Sequence, residues 1–168
     1  MTIEADITAL AEELVRKCTA RGLRVSTAES CTGGLVSGAV TAVSGSSAVI
    51  ELGVCSYSNR IKHEVLGVGG DILEKYTEYS VQCAEAMADG VRRLSGADLA
   101  VSTTGVAGPT GGTDDHPVGE VCMAVSTAHG CHGTRFLFGQ HDRGTIRAMA
   151  VKKALELLLE EINESSLG

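Results

Sequence analysis

Between residues 3 and 21 the apolar positions Ile3, Ile7, Leu10, Ala11, Leu14 and Val15 recur at intervals of three and four. They fall on one helical face, with Gly22 placed as a C-cap. The run "LRVSTA" (23–28) then predicts a short buried strand. "TGGLVSGAVTAV" (32–43) is rich in small apolar residues and predicts a helix packed closely on a sheet. "SAVIELGVCSYSN" (47–59) reads as a strand followed by a short helix over about 60–66. "SVQCAEAMADGVRRLSG" (80–96) predicts an amphipathic helix with Ser80 as N-cap, Gly96 as stop, and Ala84, Met87, Val91 and Leu94 inward.

"ADLAVSTTG" (97–105) predicts another buried strand, which breaks into "VAGPTGGTDDHPVG" (106–119), a loop dense in Gly, Pro and Asp. Two strands near 118–128 and 132–138 meet at a turn at His129-Gly130. A last helix over about 143–162 turns Ile146, Met149, Ala150, Ala154, Leu157 and Leu158 inward, and the tail "NESSLG" reads as frayed. Strands alternating with helices, closed by one hairpin, predict an α/β fold: one three-layer domain, 1–168 with its core at about 5–162, whose mixed sheet is covered by helices.

Composition sharpens this picture. Aromatics are 3% of 168 residues and tryptophan is absent, so Val, Leu, Ile, Ala and Met must build the core. The formal net charge of −7, without a basic block, argues against a nucleic-acid or anionic-membrane surface. The acidic, amphipathic N-terminus is no signal peptide, and no apolar run approaches membrane-spanning length. Cysteines 18, 31, 55, 83, 122 and 131 include no CxxC pair and read as free thiols in a reducing cytosol. The histidines form no ligand pattern, so neither a metal nor a cofactor is expected. The expectation is a cytoplasmic protein, with self-association into a homo-oligomer.

Three polar clusters carry the candidate chemistry. "STAESCTGG" (26–34) places Ser30 after a strand and Gly33-Gly34 before a helix. Ser30 or Thr32 there can simply cap the helix. Equally, helix N-terminal amides can hold an anion or an oxyanion, and such a turn can display a nucleophile beyond the strand ends. "TTGVAGPTGG" (103–112) also leaves a buried strand, and its glycines permit close backbone approach to a ligand. Neither loop contains GxxxxGK[ST], GxGxxG or GxSxG, so P-loop, Rossmann and hydrolase-elbow readings are unsupported. In "YSNRIKHE" (57–64), Lys62 is either a solvated surface lysine or, if buried beside a serine, a neutral amine able to activate it.

Taken together, "TAESCTGG", "YSNRIKHEVLGV", "TTGVAGPTGGTDDHPVG" and the late "DRGTIR" resemble the CinA family, in its C-terminal, nicotinamide-nucleotide amidohydrolase domain, from about residue 5 to 160. The order and spacing are the family's, and the chain looks like its stand-alone form. The resemblance implies hydrolysis of the carboxamide of nicotinamide mononucleotide to nicotinic acid mononucleotide and ammonia, returning a pyridine nucleotide to NAD synthesis. It implies Ser30 as nucleophile, with Tyr57 and Lys62 assisting.

Substrate contacts are assigned to the backbone near Cys31, Thr32, Gly33 and Gly34, to Thr104, Gly105 and Gly108, and to Arg143 or Arg147. Glu29 either orients Lys62, bonds a ribose or serves as a structural carboxylate, and Cys31 is a rival nucleophile. Two positions depart from the family pattern: His116 stands for a common lysine and His141 for a common glycine. Competing readings are a serine amidase for another small amide, or a ligand-binding module in competence or DNA-damage response.

Overall fold

The computed structural model describes residues 2–164. Five strands form one mixed sheet in the order β2-β1-β3-β4-β5: β1 Val25–Glu29, β2 Ile50–Cys55, β3 Leu99–Gly105, β4 Glu120–Thr127 and β5 Gly130–Leu137. β1 runs parallel to both β2 and β3, whereas β4 pairs antiparallel with β3 and with β5. The helices are α1 Ile3–Arg21, α2 Leu35–Thr41, α3 Asn59–Leu66, α4 Gly70–Tyr76, α5 Val81–Ser95 and α6 Arg143–Glu164. None among the described residues is long and apolar enough to cross a membrane.

The strand period of two divides the core between the sheet's faces. Val25, Leu99, Val101, Val121, Met123 and Val125 pack with α1, α2 and α6. Ala28 and Ala100 pack on the other face with Met87 and Val91 of α5 and Leu66 of α3. Because β1, β3 and β4 are covered on both faces, they are buried except at Gly105, the last residue of β3, while the edge strand β2 alternates.

The helix ends anticipated at Gly22, Ser80 and Gly96 are where the chain puts them: both glycines are left-handed, and the Ser80 hydroxyl accepts the Cys83 amide. Three details differ from the pattern. Leu94 is 56% exposed, because the inward stripe of α5 passes through Ala84, Ala88 and Val91 to Ser95, which bonds Ser26 across the interface. Met149 is only half-buried. α4 was not anticipated; seven residues without one fully buried position give no readable period. Among "NESSLG", Asn163 and Glu164 continue α6 and the rest lies outside the described residues.

Candidate active site

Alternation along β1 sends Glu29 and Ser30 to opposite faces. Glu29 turns toward α2 and is fully enclosed. Its carboxylate accepts hydrogen bonds from the amides of Gly34 (3.0 Å), Val36 (3.0 Å) and Ser37 (2.8 Å), and from the hydroxyls of Thr27 (3.2 Å) and Thr32 (2.7 Å). The reversal needed to bring those amides round uses positive φ at Gly33 (60°) and Gly34 (94°), which glycine adopts without strain. The amides at the start of α2, read from sequence as an anion site, are therefore occupied by the chain's own carboxylate. Glu29 has the structural role among its three readings. Thr32 is enclosed with it, between Glu29 and Thr103.

Ser30 faces α3. There Ser58 caps the helix, its hydroxyl accepting the Ile61 amide, and the first turn carries Lys62 back across the end of β2. Lys62 is 1% exposed, not solvated. Its Nζ lies 3.1 Å from Ser30 Oγ, 2.9 Å from the Ser56 carbonyl and 3.3 Å from the Tyr57 carbonyl. A free amine has two hydrogens and one lone pair. With both hydrogens donated to the carbonyls, the lone pair is left for the Ser30 hydroxyl proton. Burial holds the amine below the ordinary lysine value of 10.5, opposed by Cys83, Glu78 and Cys31. The two thiols are themselves pushed up by burial, Cys83 to about 11 and Cys31 to about 12.

Ser30, Cys31, Tyr57, Lys62 and Gly105 line one pocket of about 330 Å³, at the lower end of the range of roughly 300–1,000 Å³ common for small-molecule sites. It opens beyond the carboxyl ends of β1, β2 and β3. There the chain leaves β1 for β2 by way of α2 on one face, and returns past it to β3 by way of α5 on the other. Such a switch point leaves a crevice in open α/β sheets.

The remaining predicted contacts are distributed differently. The Tyr57 side chain is 62% exposed, and its phenol oxygen accepts from Arg143 Nη2 at 2.9 Å; only its carbonyl meets Lys62. Arg143 also donates to the Gly108 carbonyl at 2.8 Å, tying the glycine-rich loop to the pocket mouth. Arg147 donates to the carbonyls of Cys31 (3.1 Å) and Thr32 (3.0 Å), bracing the serine turn from behind. Thr104 is buried, its hydroxyl donating to the Glu78 carbonyl at 2.6 Å. Only Gly105 of the glycine-rich segment faces the serine; the loop tip at 109–114 lines a separate, open concavity.

His116 lies outside the serine pocket, its Nδ1 3.1 Å from Glu120, and His141 is exposed. Among the described residues no cluster of three His, Cys, Asp or Glu side chains is placed to hold a metal.

Sequence reasoning missed Ser56, Glu78 and Tyr79. Ser56 follows Cys55, the β2 partner of Glu29, so it stands beside Ser30. Its hydroxyl is the one buried side-chain polar atom without a hydrogen bond among the described residues. The stretch 57–64 pointed to its neighbourhood, but nothing in the pattern brought 77–80 to the same pocket.

The fold is thus a mixed, helix-covered α/β sheet with a buried serine–lysine contact at its switch point. The chain belongs to the CinA family: residues 7–162 match the CinA C-terminal domain. It is 39% identical over 160 residues to a CinA-like protein of Shewanella pealeana, covering 95% of this chain and 38% of that protein. It is 44% identical over 149 residues to one from Anaeromyxobacter sp. (strain K), covering 89% and 36%. The chain thus spans less than half the length of these curated relatives.

Solved structures resemble it over nearly their whole length. The competence/damage inducible protein CihA from Agrobacterium tumefaciens superposes with a TM-score of 0.92 at 42% identity, covering 95% of this chain and 96% of that one. A CinA superfamily protein from Klebsiella pneumoniae gives 0.90 at 34%, covering 95% and 99%.

Proposed function

We propose that this chain hydrolyses the carboxamide of nicotinamide mononucleotide, with Ser30 as nucleophile and Lys62 as its base. The observation that carries the reading is the 3.1 Å approach of the enclosed Lys62 amine to Ser30 Oγ, with the amine's two other contacts both carbonyls. Ser30 Oγ attacks the amide carbon while its proton passes to Nζ, which burial keeps receptive. The amides of Cys31 and Thr32 follow directly on the nucleophile and are the backbone donors assigned to the developing oxyanion. Lys62 returns the proton to the nitrogen as the C–N bond breaks, and ammonia leaves. Water then attacks the acyl-Ser30 ester, again giving a proton to Lys62. Nicotinic acid mononucleotide departs as Ser30 is reprotonated.

Arg143 is the cation available for the phosphate, because it stands at the mouth, whereas Arg147 is engaged with the serine turn. Cys31 is 5% exposed and its thiol is pushed up to about 12, mainly by burial, which favours Ser30 over it. The test is ammonia release from nicotinamide mononucleotide by the wild type, Ser30→Ala and Cys31→Ala. Activity in the first and third but not the second is expected; a folded wild type that releases no ammonia sinks the proposal.

A further inference from the structure

Tyr79 and Glu78 form a wall of the serine pocket that the hydrolytic steps above do not use. Their backbone is fixed at every residue. Thr77 holds φ 67° and ψ 169°, a sparsely populated conformation for a β-branched side chain. It is secured by the Ser80 hydroxyl donating to its carbonyl (2.8 Å) and by the Tyr79 amide donating to its hydroxyl (3.3 Å). The Glu78 carbonyl accepts from Thr104 Oγ1, and the Tyr79 carbonyl from Cys122 Sγ at 3.3 Å.

The Tyr79 ring packs on His116, 5.6 Å between centroids, and His116 is itself held by Glu120. Burial first, then the neighbouring Glu78 carboxylate, keep the Tyr79 phenol above its ordinary value. Among the described residues, Glu78 and Lys62 are the only charged residue types in the lining. With Lys62 as the free amine, the pocket presents one carboxylate and two tyrosine rings.

That combination is a recognition site for a cation spread over an aromatic ring: a carboxylate supplies the charge and tyrosine faces attract a cationic π-system. Resting on the deamidase reading, we infer that Glu78, flanked by Tyr57 and Tyr79, determines specificity by reading the positive charge of the pyridinium ring that bears the carboxamide. A ribotide of the same shape with a neutral ring is thereby disfavoured.

The experiment measures binding in a Ser30→Ala background, with Glu78 intact or changed to Gln or Asp. The probes are nicotinamide mononucleotide and the benzamide C-ribonucleotide, its neutral-ring counterpart. Glu78→Gln is expected to weaken nicotinamide mononucleotide about tenfold and to leave the neutral ligand unchanged, with Glu78→Asp keeping part of the preference. Equal weakening of both ligands, or no change in either, overturns the inference. So does an unchanged binding ratio accompanied by a shifted acid limb of kcat/KM in Glu78→Gln made with Ser30 intact, which would make Glu78 only a partner of Lys62. If nicotinamide mononucleotide is neither bound nor hydrolysed, the deamidase reading falls, and this one with it. If it is hydrolysed without charge preference, only this one falls.

Discussion

Glu29 and Ser37 are joined by a 2.8 Å hydrogen bond from the Ser37 amide to the carboxylate, across the turn that presents Ser30. Four further donors, from Gly34, Val36, Thr27 and Thr32, converge on the same two oxygens. Ser30 is held rigid by the residue before it.

Glu29→Gln turns one accepting oxygen into a donor facing donors. Leaving buried amides or hydroxyls unsatisfied costs about 1–3 kcal/mol each, more around a charge. A loss of about 3 kcal/mol is expected, read in thermal unfolding as a fall of roughly 6–12 °C for a chain of this size. A melting temperature within two degrees of wild type would show that the carboxylate does not organise the turn.

Lys62 makes a stability prediction whose sign is fixed by its direction of shift. Burial lowers its folded pKa below the unfolded 10.5. Between those two values the unfolded chain holds the extra proton, so stability rises with pH through that window. Lys62→Met abolishes the dependence. The variant is expected to be at least as stable as wild type at pH 7, with its advantage shrinking as pH approaches 10.5. Urea unfolding at several pH values measures this; a Lys62→Met that is less stable at pH 7 and gains no ground at low pH contradicts it.

The strand and helix order was largely legible, because α1, α5 and α6 carry apolar positions at helical spacing and β3 and β4 hold apolar runs between turn residues. The site was legible only in part. Ser30 announces itself by standing between a strand and two glycines. The burial of Lys62 does not, since a lysine seven residues past a strand end is ordinarily solvated; enclosure comes from α5 and the 77–79 segment, contacts that no local spacing encodes. Glu29 misled for a related reason. A carboxylate next to a nucleophile suggests chemistry, until alternation on the strand turns it to the other face.

Thiol chemistry offers a separate check. Cys55 is exposed, while Cys31 is enclosed and its thiol pushed up to about 12. Iodoacetamide at pH 8, followed by peptide mass spectrometry, is expected to label Cys55 and spare Cys31 in the folded protein. Cys31→Ala is expected to keep activity within severalfold of wild type. Rapid labelling of Cys31 that tracks inactivation would return it to candidacy as nucleophile.

Tyr57 and Arg143 share one bond at the pocket mouth, 2.9 Å between the phenol oxygen and Nη2. Tyr57→Phe and Arg143→Lys should each lower kcat/KM, and their effects should be less than additive, because each breaks that contact. Strict additivity in the double mutant would show that the two act independently.

The serine–lysine pair itself is tested most directly by the pH dependence of kcat/KM for nicotinamide mononucleotide, comparing wild type with Lys62→Arg. The wild type should gain activity along a limb whose midpoint lies below 10.5, as the buried amine loses its proton. Lys62→Arg, folded but permanently protonated, should show no activity at any pH. Substantial turnover by Lys62→Arg, with the wild-type limb intact, would contradict Lys62 as the base that activates Ser30.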